Sequence, residues 1–202
     1  MPPLRRLSRN ELLRKSLHLL ALAIPAGIYI LDKPLALFVL LPLSLAAIGA
    51  DVLRTRSESF ARFIARFFGY MMRPAEVPAI GGNVIINGAT WVVVSATLLT
   101  LLFPVDAVVP GFASFMVADA AAAITGIQFG RTPWPGAHRT LEGSIAFVII
   151  AWAVLLPFGH IPMGTAALTA LAGAIVEAPK LPVNDNIRAP FVMTVVLWAV
   201  LG

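Results

Sequence analysis

Residues 115–126 read Phe-Met-Val-Ala-Asp-Ala-Ala-Ala-Ala-Ile-Thr-Gly, and this stretch decides how the rest of the chain is interpreted. It lies in an apolar run at 107–127, which is long enough for a helix to cross a bilayer, since about 20 residues suffice. The run carries one carboxylate, Asp119, which lies roughly 12 Å from the nearer end of the helix at about 1.5 Å of rise per residue. An ionisable group at that depth is costly, so it indicates a functional site or a buried ion pair.

The composition of the whole chain agrees with a membrane protein. Of its 202 residues 59% are hydrophobic and 12% are charged, whereas soluble domains average about 45–50% and about 25%. These values exclude a disordered chain, a disulfide scaffold and an ordinary soluble globule. The chain contains no cysteine, which excludes thiol catalysis and Cys-ligated metals.

Six further apolar runs predict spanning helices, although three of the predicted spans are short. The predicted spans are residues 16–31, 34–50, 83–103, 107–127, 143–158, 161–178 and 189–202. We therefore predict an all-α fold, in which a single domain over residues 1–202 forms a polytopic transmembrane helix bundle of about seven spans.

The basic residues predict the orientation of these helices. With the N-terminus in the cytoplasm, the inner segments hold 14 of the 15 Lys and Arg residues, and the outer loops hold only Lys33. This asymmetry is the one that the positive-inside rule describes. Membrane topology therefore explains the net charge of +5, and we expect no nucleic-acid partner. We expect a multi-pass protein of the cell membrane whose active site faces the cytoplasm.

Residues 54–72 differ from the spans because basic and aromatic positions alternate in them. Phe60, Phe63 and Phe67 recur at spacings of three and four, and Arg62 falls on the opposite face. This pattern predicts an amphipathic helix that lies in the membrane interface. Its role is either an anchor on anionic lipid or a lid that guides the substrate.

A polar loop follows the span that carries Asp119, and we predict it at residues 128–142. The span ends in the GxxxG of Gly126 and Gly130, whose ordinary role is helix packing. At its N-terminus, the helix that follows the loop has N–H groups without partners in the helix and the positive end of the helix dipole. The residues that form a candidate phosphate cradle with this helix end are Arg131, Arg139, Thr140, Glu142, Gly143 and Ser144.

Further polar residues lie on the predicted inner side. Arg14, Lys15 and His18 open the first span, and Arg14 and His18 share a helix face because they are four residues apart. Asp51 and Arg54 follow the second span. They are candidates for contacts with the same phosphate groups.

A second cytoplasmic site loop is predicted at residues 178–188. Glu177 precedes it, and Asp185 and Asn186 lie within it. With Asp119, these carboxylates form a group of hard oxygen ligands on the inner side, which suits Mg²⁺ bound with a nucleotide triphosphate. We therefore predict Asp119, Glu177 and Asp185 as metal ligands.

Structural alternatives remain open for several of these residues. A helix cap by Thr140, with Glu142 in the first turn, explains the end of the first loop as well as a phosphate cradle does. Asp119 alone fits a salt bridge to an arginine of the inner leaflet, and His18 alone fits a hydrogen bond between packed helices. The GxxxxGK[ST] motif, which forms the phosphate-binding P-loop of many nucleoside triphosphatases, does not occur in the sequence.

In their order along the chain, these motifs resemble those of the CTP-dependent lipid-alcohol kinases, the family of dolichol kinase, phytol kinase and the CTP-dependent diacylglycerol kinase. The resemblance runs from residue 11 to residue 190. The residues that carry it are Arg14, Lys15, His18, Asp51, Arg54, Arg73, Glu76, Asp119, Gly126, Gly130, Arg131, Thr140, Glu142, Gly143, Ser144, Glu177, Asp185 and Asn186.

The resemblance implies that the γ-phosphoryl group of CTP is transferred to the hydroxyl group of a polyprenol, a phytol-like isoprenoid or diacylglycerol, with Mg²⁺ as divalent cation. Asp119 would be a magnesium ligand or the base for the hydroxyl group. The chain departs from the family at Ala118, where Gly is usual, and at Arg139-Thr140, where Lys-Ser is usual. The residues that the reaction would need are Arg14, Lys15, Asp119 and Gly126.

Two other functions are compatible with the sequence. A CTP-using cytidylyltransferase of lipid metabolism would share the membrane, the nucleotide and Mg²⁺ but would release pyrophosphate. A small membrane transporter would account for Asp119 and the intramembrane glycines but not for the charged inner loops. The expected partners are a nucleotide triphosphate, a lipid alcohol and membrane lipids, and the sequence leaves open whether the protein forms an oligomer.

Overall fold

A computed structural model describes residues 8–72, 76–135, 139–179 and 181–202, and within these ranges the protein is all-α, as predicted. Arg73, one of the residues that carry the resemblance, lies outside the described residues. The helices in chain order are α1 (Arg9–Leu20), α2 (Ala23–Arg56), α3 (Glu58–Phe68), α4 (Gly88–Leu102), α5 (Val105–Phe129), α6 (Leu141–Leu155), α7 (Met163–Glu177) and α8 (Asp185–Leu201), with a 3-10 turn at Gly69–Met71.

Length and composition distinguish two segments that could cross a membrane, Arg9–Arg56 and Val105–Phe129. α4, α6 and α7 are apolar as well, but each has 15 residues, which is shorter than the usual span of about 17–25. By length and composition alone, two segments could therefore cross a membrane, and the predicted number of seven spans is not confirmed.

α5 is the central helix of the bundle, because it contacts α1, α2, α4, α6 and α8. Phe112, Phe115 and Met116 of this helix are fully buried, and Phe147 of α6 and Met193 of α8 belong to the same core. The helix that carries Asp119 is thus held from several sides, which fixes the position of its carboxylate.

Large apolar side chains cover the outer surface of the bundle. Phe38 of α2 is 78% exposed, and Leu45 of α2 and Ile175 of α7 are exposed in the same way. Soluble monomers rarely present large contiguous apolar patches to water. The composition of this surface therefore favours an apolar surrounding such as lipid.

The first part of the chain runs antiparallel to α5, because Lys15 of α1 contacts Asp119 and, further along, Tyr29 lines a cavity with Val109. A turn at residues 21–22 divides this part into α1 and the beginning of α2. The first predicted span therefore differs from the observed helices, since hydropathy does not register a turn made by apolar residues.

The chain reverses at Asp32, where the backbone φ is 58°. Beyond this residue Lys33 Nζ donates to the carbonyl oxygen of Phe103 at 3.2 Å, and Asn87 Nδ2 donates to Asp51, so the rest of α2 runs antiparallel to α4. With ψ at 169°, Asp32 adopts a backbone conformation that residues other than Gly rarely adopt, so the reversal is strained. The turn predicted between the first two spans is present there.

α3 is amphipathic, as predicted for residues 54–72, although the structure divides that range differently. The first three of these residues belong to α2, and Ser57 begins α3 by accepting a hydrogen bond from the N–H group of Phe60 at 3.3 Å. All residues of α3 are described and none is buried, and the rings of Phe63 and Phe67 lie 5.2 Å apart. Its placement in a membrane interface stays a prediction.

Both predicted site loops are shorter than expected, because helices continue into them. α5 extends to Phe129, two residues into the loop predicted at 128–142. α8 begins at Asp185, with Asn184 as its N-cap, inside the loop predicted at 178–188. The Asn184 side chain caps the start of α8, whereas α5 ends with a backbone hydrogen bond from the Gly130 N–H group to the carbonyl oxygen of Gly126. The sequence prediction placed both ends where the apolar residues stop.

Glycines let α5 and α6 approach each other closely at the end of α5. A Cβ atom added at Gly143 would lie 2.9 Å from the carbonyl oxygen of Ala122, and one added at Gly126 would lie 3.1 Å from Thr140 Oγ1. A Cβ atom at Gly130 would lie 2.6 Å from Thr140 Cγ2. The GxxxG thus has a helix-packing role here.

We expect Gly143→Ala to destabilise the protein, although alanine is favoured over glycine in a helix by about 1 kcal/mol. The added methyl group meets the backbone of Ala122, which cannot move without separating α5 from α6, and overpacking of this kind costs about 1–3 kcal/mol. Gly27→Ala is the matched control, because no other described part of the chain lies within 4 Å of its Cβ position. Thermal unfolding in detergent measures both variants, and equal stability would contradict the packing role.

Candidate functional site

A cluster of charged side chains lies where α1, α5, α7 and α8 meet the loop before α6. Its first part is an ion pair between Lys15 and Asp119, in which Lys15 Nζ donates to Asp119 Oδ2 at 2.7 Å and to the backbone carbonyl oxygen at 3.4 Å. Both residues are buried. Because a buried charge is stable only with a partner, this pair joins α1 to α5.

His18 lies one helical turn after Lys15 and faces the same carboxylate, with Nε2 at 3.4 Å from Asp119 Oδ2. Its ring packs edge-on against Phe115, with 6.1 Å between the ring centroids. Nε2 is buried and forms no hydrogen bond with any described residue. The spacing of Lys15 and His18 in the sequence therefore brings both side chains to Asp119.

Arg139 completes the cluster, and its guanidinium group contacts carboxylates from three helices. Nη1 lies 3.7 Å from Asp119 Oδ1 and contacts Glu177 Oε1, and Nη2 contacts Asp185 Oδ2. Glu177 is only 1% exposed, and its Oε2 has no hydrogen-bond partner among the described residues. The structure thus brings the three predicted metal ligands together, around an arginine side chain.

The three carboxylates offer the hard oxygen donors that Mg²⁺ prefers. In the described ranges, however, no three Asp, Glu, His or Cys side chains lie close enough together to hold a metal ion. Arg139 contacts each of the three carboxylates instead. The carboxylates thus have the donor chemistry of a divalent-cation site but not its spacing, and metal binding remains a prediction.

The loop before α6 is called the site loop below, and its described residues, 130–135 and 139–140, pair with each other and hold the backbone of Arg139. The N–H group of Trp134 donates to the carbonyl oxygen of Arg139 at 2.9 Å, and that of Leu141 donates to Thr132 at 2.8 Å. Within the described part of the site loop, the side chain of Arg139 extends from a fixed backbone into the cluster.

Glu142 stabilises the site loop by accepting hydrogen bonds from the N–H group and Oγ1 of Thr132, both at 3.1 Å. Its own N–H group and those of Arg131 and Thr132 hold the pKa of the Glu142 carboxyl below its usual range. A carboxylate in the first turn of α6 also interacts favourably with the helix dipole. Its contacts are those of a residue that holds the loop, and its role in nucleotide binding stays a prediction.

The other hydroxyl groups of the predicted cradle have partners within the protein. Thr140 Oγ1 accepts a hydrogen bond from the Gly143 N–H group at 3.2 Å and so caps α6. Ser144 Oγ accepts one from Trp134 Nε1 at 3.0 Å. These contacts agree with the capping alternative, and phosphate binding by Thr140 and Ser144 is left as a prediction.

Asp51 and Arg54 form a second buried cluster, which joins α2 to the start of α4. Asp51 accepts hydrogen bonds from Asn87 Nδ2 and Thr90 Oγ1, both at 2.7 Å. Arg54 Nη2 lies 2.9 Å from Asp51 Oδ1, and the guanidinium group also donates to two carbonyl oxygens of the segment before α4. The observed contacts are structural, and phosphate binding by Asp51 and Arg54 stays untested.

Asn186 connects the two clusters through the start of α4. Its Nδ2 donates to the carbonyl oxygen of Gly88 at 3.3 Å, and Gly88 follows Asn87 of the Asp51 cluster. The preceding residue, Asp185, contacts Arg139. Asn186 is therefore close to the predicted site, where its observed contact is with the protein backbone.

Arg14 and Arg131 are two further cations that were predicted to bind phosphate. Arg14 Nη2 forms an ion pair with Glu11 at 2.8 Å on α1. Arg131 is exposed at the beginning of the site loop. Both residues lie at the end of the bundle that holds the cluster. Phosphate binding by either residue stays a prediction.

Arg188 of α8 lies beside the cluster and was not predicted from the sequence as a site residue. Its Nη2 donates to the carbonyl oxygens of Pro179 at 2.6 Å and Glu177 at 3.5 Å. Its Nε and Nη1 are buried without a hydrogen-bond partner in the part of the chain that the structure describes. The available signal was its spacing of three residues from Asp185, which brings the two side chains to one helix face.

Part of the chain is similar to a lipid kinase. It is 30% identical over 95 residues to the dolichol kinase of Saccharomyces cerevisiae, a match that covers 42% of this chain and 18% of that enzyme. It is 23% identical over 184 residues to the uncharacterized protein RP860 of Rickettsia prowazekii, covering 88% of each chain. It is 33% identical over 102 residues to the uncharacterized protein MJ1137 of Methanocaldococcus jannaschii, covering 49% of this chain and 51% of the relative. No family model and no solved structure matches.

We expect Lys15→Met to destabilise the protein by roughly 3–5 kcal/mol, since it leaves Asp119 buried without its cation. Adding Asp119→Asn restores part of the stability, because it returns the net charge of the cluster to its original value. Chemical unfolding of both single variants and the double variant measures the coupling free energy, which we expect at about 1–3 kcal/mol.

The exposed pair of Arg62 and Glu58, whose side chains are 69% and 68% exposed, is the control for this cycle. Its coupling is expected at about 0–1 kcal/mol, because water screens exposed charges. A coupling for Lys15 and Asp119 no larger than that of the exposed pair would contradict the buried ion pair.

Proposed function

We propose that this protein is a membrane lipid kinase that transfers the γ-phosphoryl group of CTP to the hydroxyl group of a lipid alcohol. The observation that carries the proposal is the cluster of Lys15, His18, Asp119 and Arg139 at one end of a helix bundle with an apolar outer surface. The partial likeness to a dolichol kinase supports the same reaction class. The acceptor is a polyprenol, a phytol-like isoprenoid or diacylglycerol.

The chemistry of phosphoryl transfer fits this cluster. Such a reaction needs little covalent chemistry from the protein and depends on positioning and on charge stabilisation. Lys15 and Arg139 are the central cations, and Arg188 carries two buried N–H groups without a partner among the described residues. Arg14 and Arg131 lie at the same end and are assigned to the phosphate groups of the nucleotide.

The acceptor step uses two side chains of the cluster. The lipid hydroxyl oxygen forms a bond to the γ-phosphorus, the bond from this phosphorus to the bridging oxygen breaks, and CDP leaves with the electron pair. His18 Nε2, which has no hydrogen-bond partner in the described chain, accepts the hydroxyl proton. Asp119 lies between two cations, which suits a metal ligand better than a proton acceptor.

Asp119, Glu177 and Asp185 would hold a divalent cation, with Mg²⁺ as the ion that usually accompanies a nucleotide triphosphate. When bound, this ion supplies positive charge to the phosphate oxygens and so stabilises the charge that develops in the transition state. Asn186 and the backbone of the site loop, beside this group, are the remaining candidates for contacts with the nucleotide.

An apolar groove supports a lipid acceptor. A cavity of about 300 Å³ lies between α6 and α7, and its lining includes Ile149, Leu171 and Ala174. Ser144 lines the end nearest the site loop, and Ala174 lies one helical turn before Glu177. A hydrocarbon chain in this groove would bring its hydroxyl group to the charged cluster. We propose that the cluster faces the cytoplasm, where nucleotide triphosphates are available, in a multi-pass protein of the cell membrane.

We expect Asp119→Asn to abolish phosphoryl transfer while the protein still folds, because the amide keeps the shape and accepts the hydrogen bond of Lys15. The assay uses purified protein with Mg²⁺, γ-labelled CTP or ATP, and a panel of isoprenoid alcohols and diacylglycerol. Asp106→Asn is the matched control, since Asp106 is exposed at the opposite end of the same helix. Wild-type turnover in the Asp119 variant would contradict the proposed site.

The products of the same assay test the reaction type. A labelled lipid monophosphate together with CDP supports the kinase, whereas pyrophosphate and a CDP-lipid would identify a cytidylyltransferase. A protein that neither transfers the label nor binds nucleotide would favour the transporter, with Asp119 as a residue of its pathway.

We expect Leu171→Trp to fill the groove and raise KM for the lipid acceptor by about 5–30-fold, if about 1–2 kcal/mol of apolar contact is lost. The KM for the nucleotide should change little. Leu168→Trp is the control, because Leu168 is exposed on the same helix and does not line this cavity. Equal acceptor KM values for the two variants would rule the groove out as the binding site of the chain.

A further inference from the structure

The hydroxyl group of Ser144 in α6 is bound to a side chain of the site loop rather than to its own helix. Its Oγ accepts a hydrogen bond from Trp134 Nε1 at 3.0 Å. A serine or threonine inside a helix can instead donate to the carbonyl oxygen four residues earlier. Ser144 forms no such bond with Thr140. The described helical residues that do form it are Ser16, Thr55, Thr97, Thr100 and Thr169.

The hydroxyl proton of Ser144 therefore has no acceptor in the part of the chain that the structure describes. A hydroxyl group can donate one hydrogen bond and accept two, and the bond from Trp134 uses only an acceptor position. Ser144 is 7% exposed, and it lines the cavity between α6 and α7. A buried donor without an acceptor is costly. The wall of this cavity thus contains a donor that a ligand oxygen would satisfy.

The rest of the cavity suits a hydrocarbon chain. Ser144 and Trp134 are the two lining residues with polar side-chain atoms, and the other described lining residues are aliphatic. Ile149 and Ile175 border the cavity and are exposed, so a chain can enter its volume of about 300 Å³ from the outer surface of the bundle. Ligand sites commonly combine an apolar lining with a few placed polar groups. The ligand that fits is a hydrocarbon chain with an oxygen atom at one end.

We propose that Ser144, oriented by Trp134, binds the hydroxyl oxygen of the lipid alcohol whose chain occupies this cavity. The lipid oxygen accepts a hydrogen bond from Ser144 Oγ, which leaves the proton of the lipid hydroxyl group free for transfer. The backbone N–H group of Trp134 also holds the carbonyl oxygen of Arg139 at 2.9 Å, so one residue positions both the acceptor site and the loop that brings Arg139 to the cluster. The proposal rests on the proposed function in taking this alcohol as the acceptor, whereas binding of the alcohol requires no nucleotide.

Binding of tritiated phytol to purified protein in detergent, without nucleotide, tests the proposal. Unlabelled phytol and phytane are the competitors, because phytane has the same branched chain without a hydroxyl group. We expect the wild type to bind phytol about 3–10-fold more tightly than phytane, as one hydrogen bond allows. In Ser144→Ala this ratio should fall to about 1–2, because the donor is removed, while the affinity for phytane is retained. Equal affinities in the wild type, or an unchanged ratio in Ser144→Ala, overturn the proposal.

Two further variants keep the test specific. Ser95→Ala is the matched control, because Ser95 is 1% exposed in α4 and does not line the cavity. An equal loss of the ratio in both serine variants would contradict a contact at Ser144. Trp134→Phe keeps a ring in the cavity but frees the Ser144 hydroxyl group to donate to Thr140, so we expect a ratio below that of the wild type. An unchanged ratio in Trp134→Phe contradicts the orienting role, and it overturns the proposal if Ser144→Ala does not fold.

Kinetics distinguish acceptor binding from the phosphate binding that the sequence predicted for Ser144. If Ser144 binds the acceptor, Ser144→Ala should raise KM for the lipid alcohol by about 3–10-fold and leave KM for CTP unchanged. A raised KM for CTP with an unchanged KM for the alcohol overturns the proposal in favour of phosphate binding.

The phytol measurement separates this inference from the proposed function. Loss of the preference for phytol in Ser144→Ala, in a protein whose wild type phosphorylates no lipid, would support the hydroxyl site and contradict the kinase. An active wild type whose Ser144→Ala variant keeps the preference would support the kinase and contradict the hydroxyl site.

Discussion

The rest of the structure depends on one constraint, which is that a charge removed from water must have a partner. Asp119 lies in the middle of the most enclosed helix of the bundle, so α1 has to bring Lys15 to it and the site loop has to bring Arg139. Glu177 and Asp185 then become the counter-charges of that arginine. Four helices and one loop are thereby tied together, since a break in the contacts of Lys15, Asp119 or Glu177 would leave a buried charge without compensation.

Packing supports this arrangement from two sides. Gly126 and Gly143 allow α5 and α6 to lie close together, which sets the distance between Asp119 and the loop that carries Arg139. The Asp51 cluster holds the segment before α4 against the end of α2, and Asn186 joins that segment to α8. Thr140, Glu142 and Ser144, which were predicted to bind phosphate, thus form hydrogen bonds that hold the site loop and the start of α6. Among the described residues, the buried polar atoms of the site that form no hydrogen bond are His18 Nε2, Glu177 Oε2, and Nε and Nη1 of Arg188.

Hydropathy and residue spacing predicted the helices and turns that depend on local sequence, but they did not predict every helix end. The all-α class, the helix around Asp119, the turn at Asp32 and the amphipathic α3 follow from runs and spacings, because each depends on residues that are neighbours in the chain. The end of α5 at Phe129 and the start of α8 at Asp185 were misplaced, since helix ends depend on local hydrogen bonds that hydropathy does not register. The turn at residues 21–22 was missed because it consists of apolar residues.

The features of the functional site likewise fall into those that depend on local sequence and those that depend on tertiary contacts. The sequence by itself determined that Asp119 needs a partner inside an apolar helix and that Lys15 and His18 share one end of α1, because burial cost and helical spacing are local properties. Only the tertiary structure decided that Arg139 lies among Asp119, Glu177 and Asp185, that Asp51 is satisfied within the protein, and that Arg188 belongs beside the site. These contacts join residues far apart in the chain, and the packing of α5 against its neighbours selects them from the many pairs of opposite charge that the sequence allows.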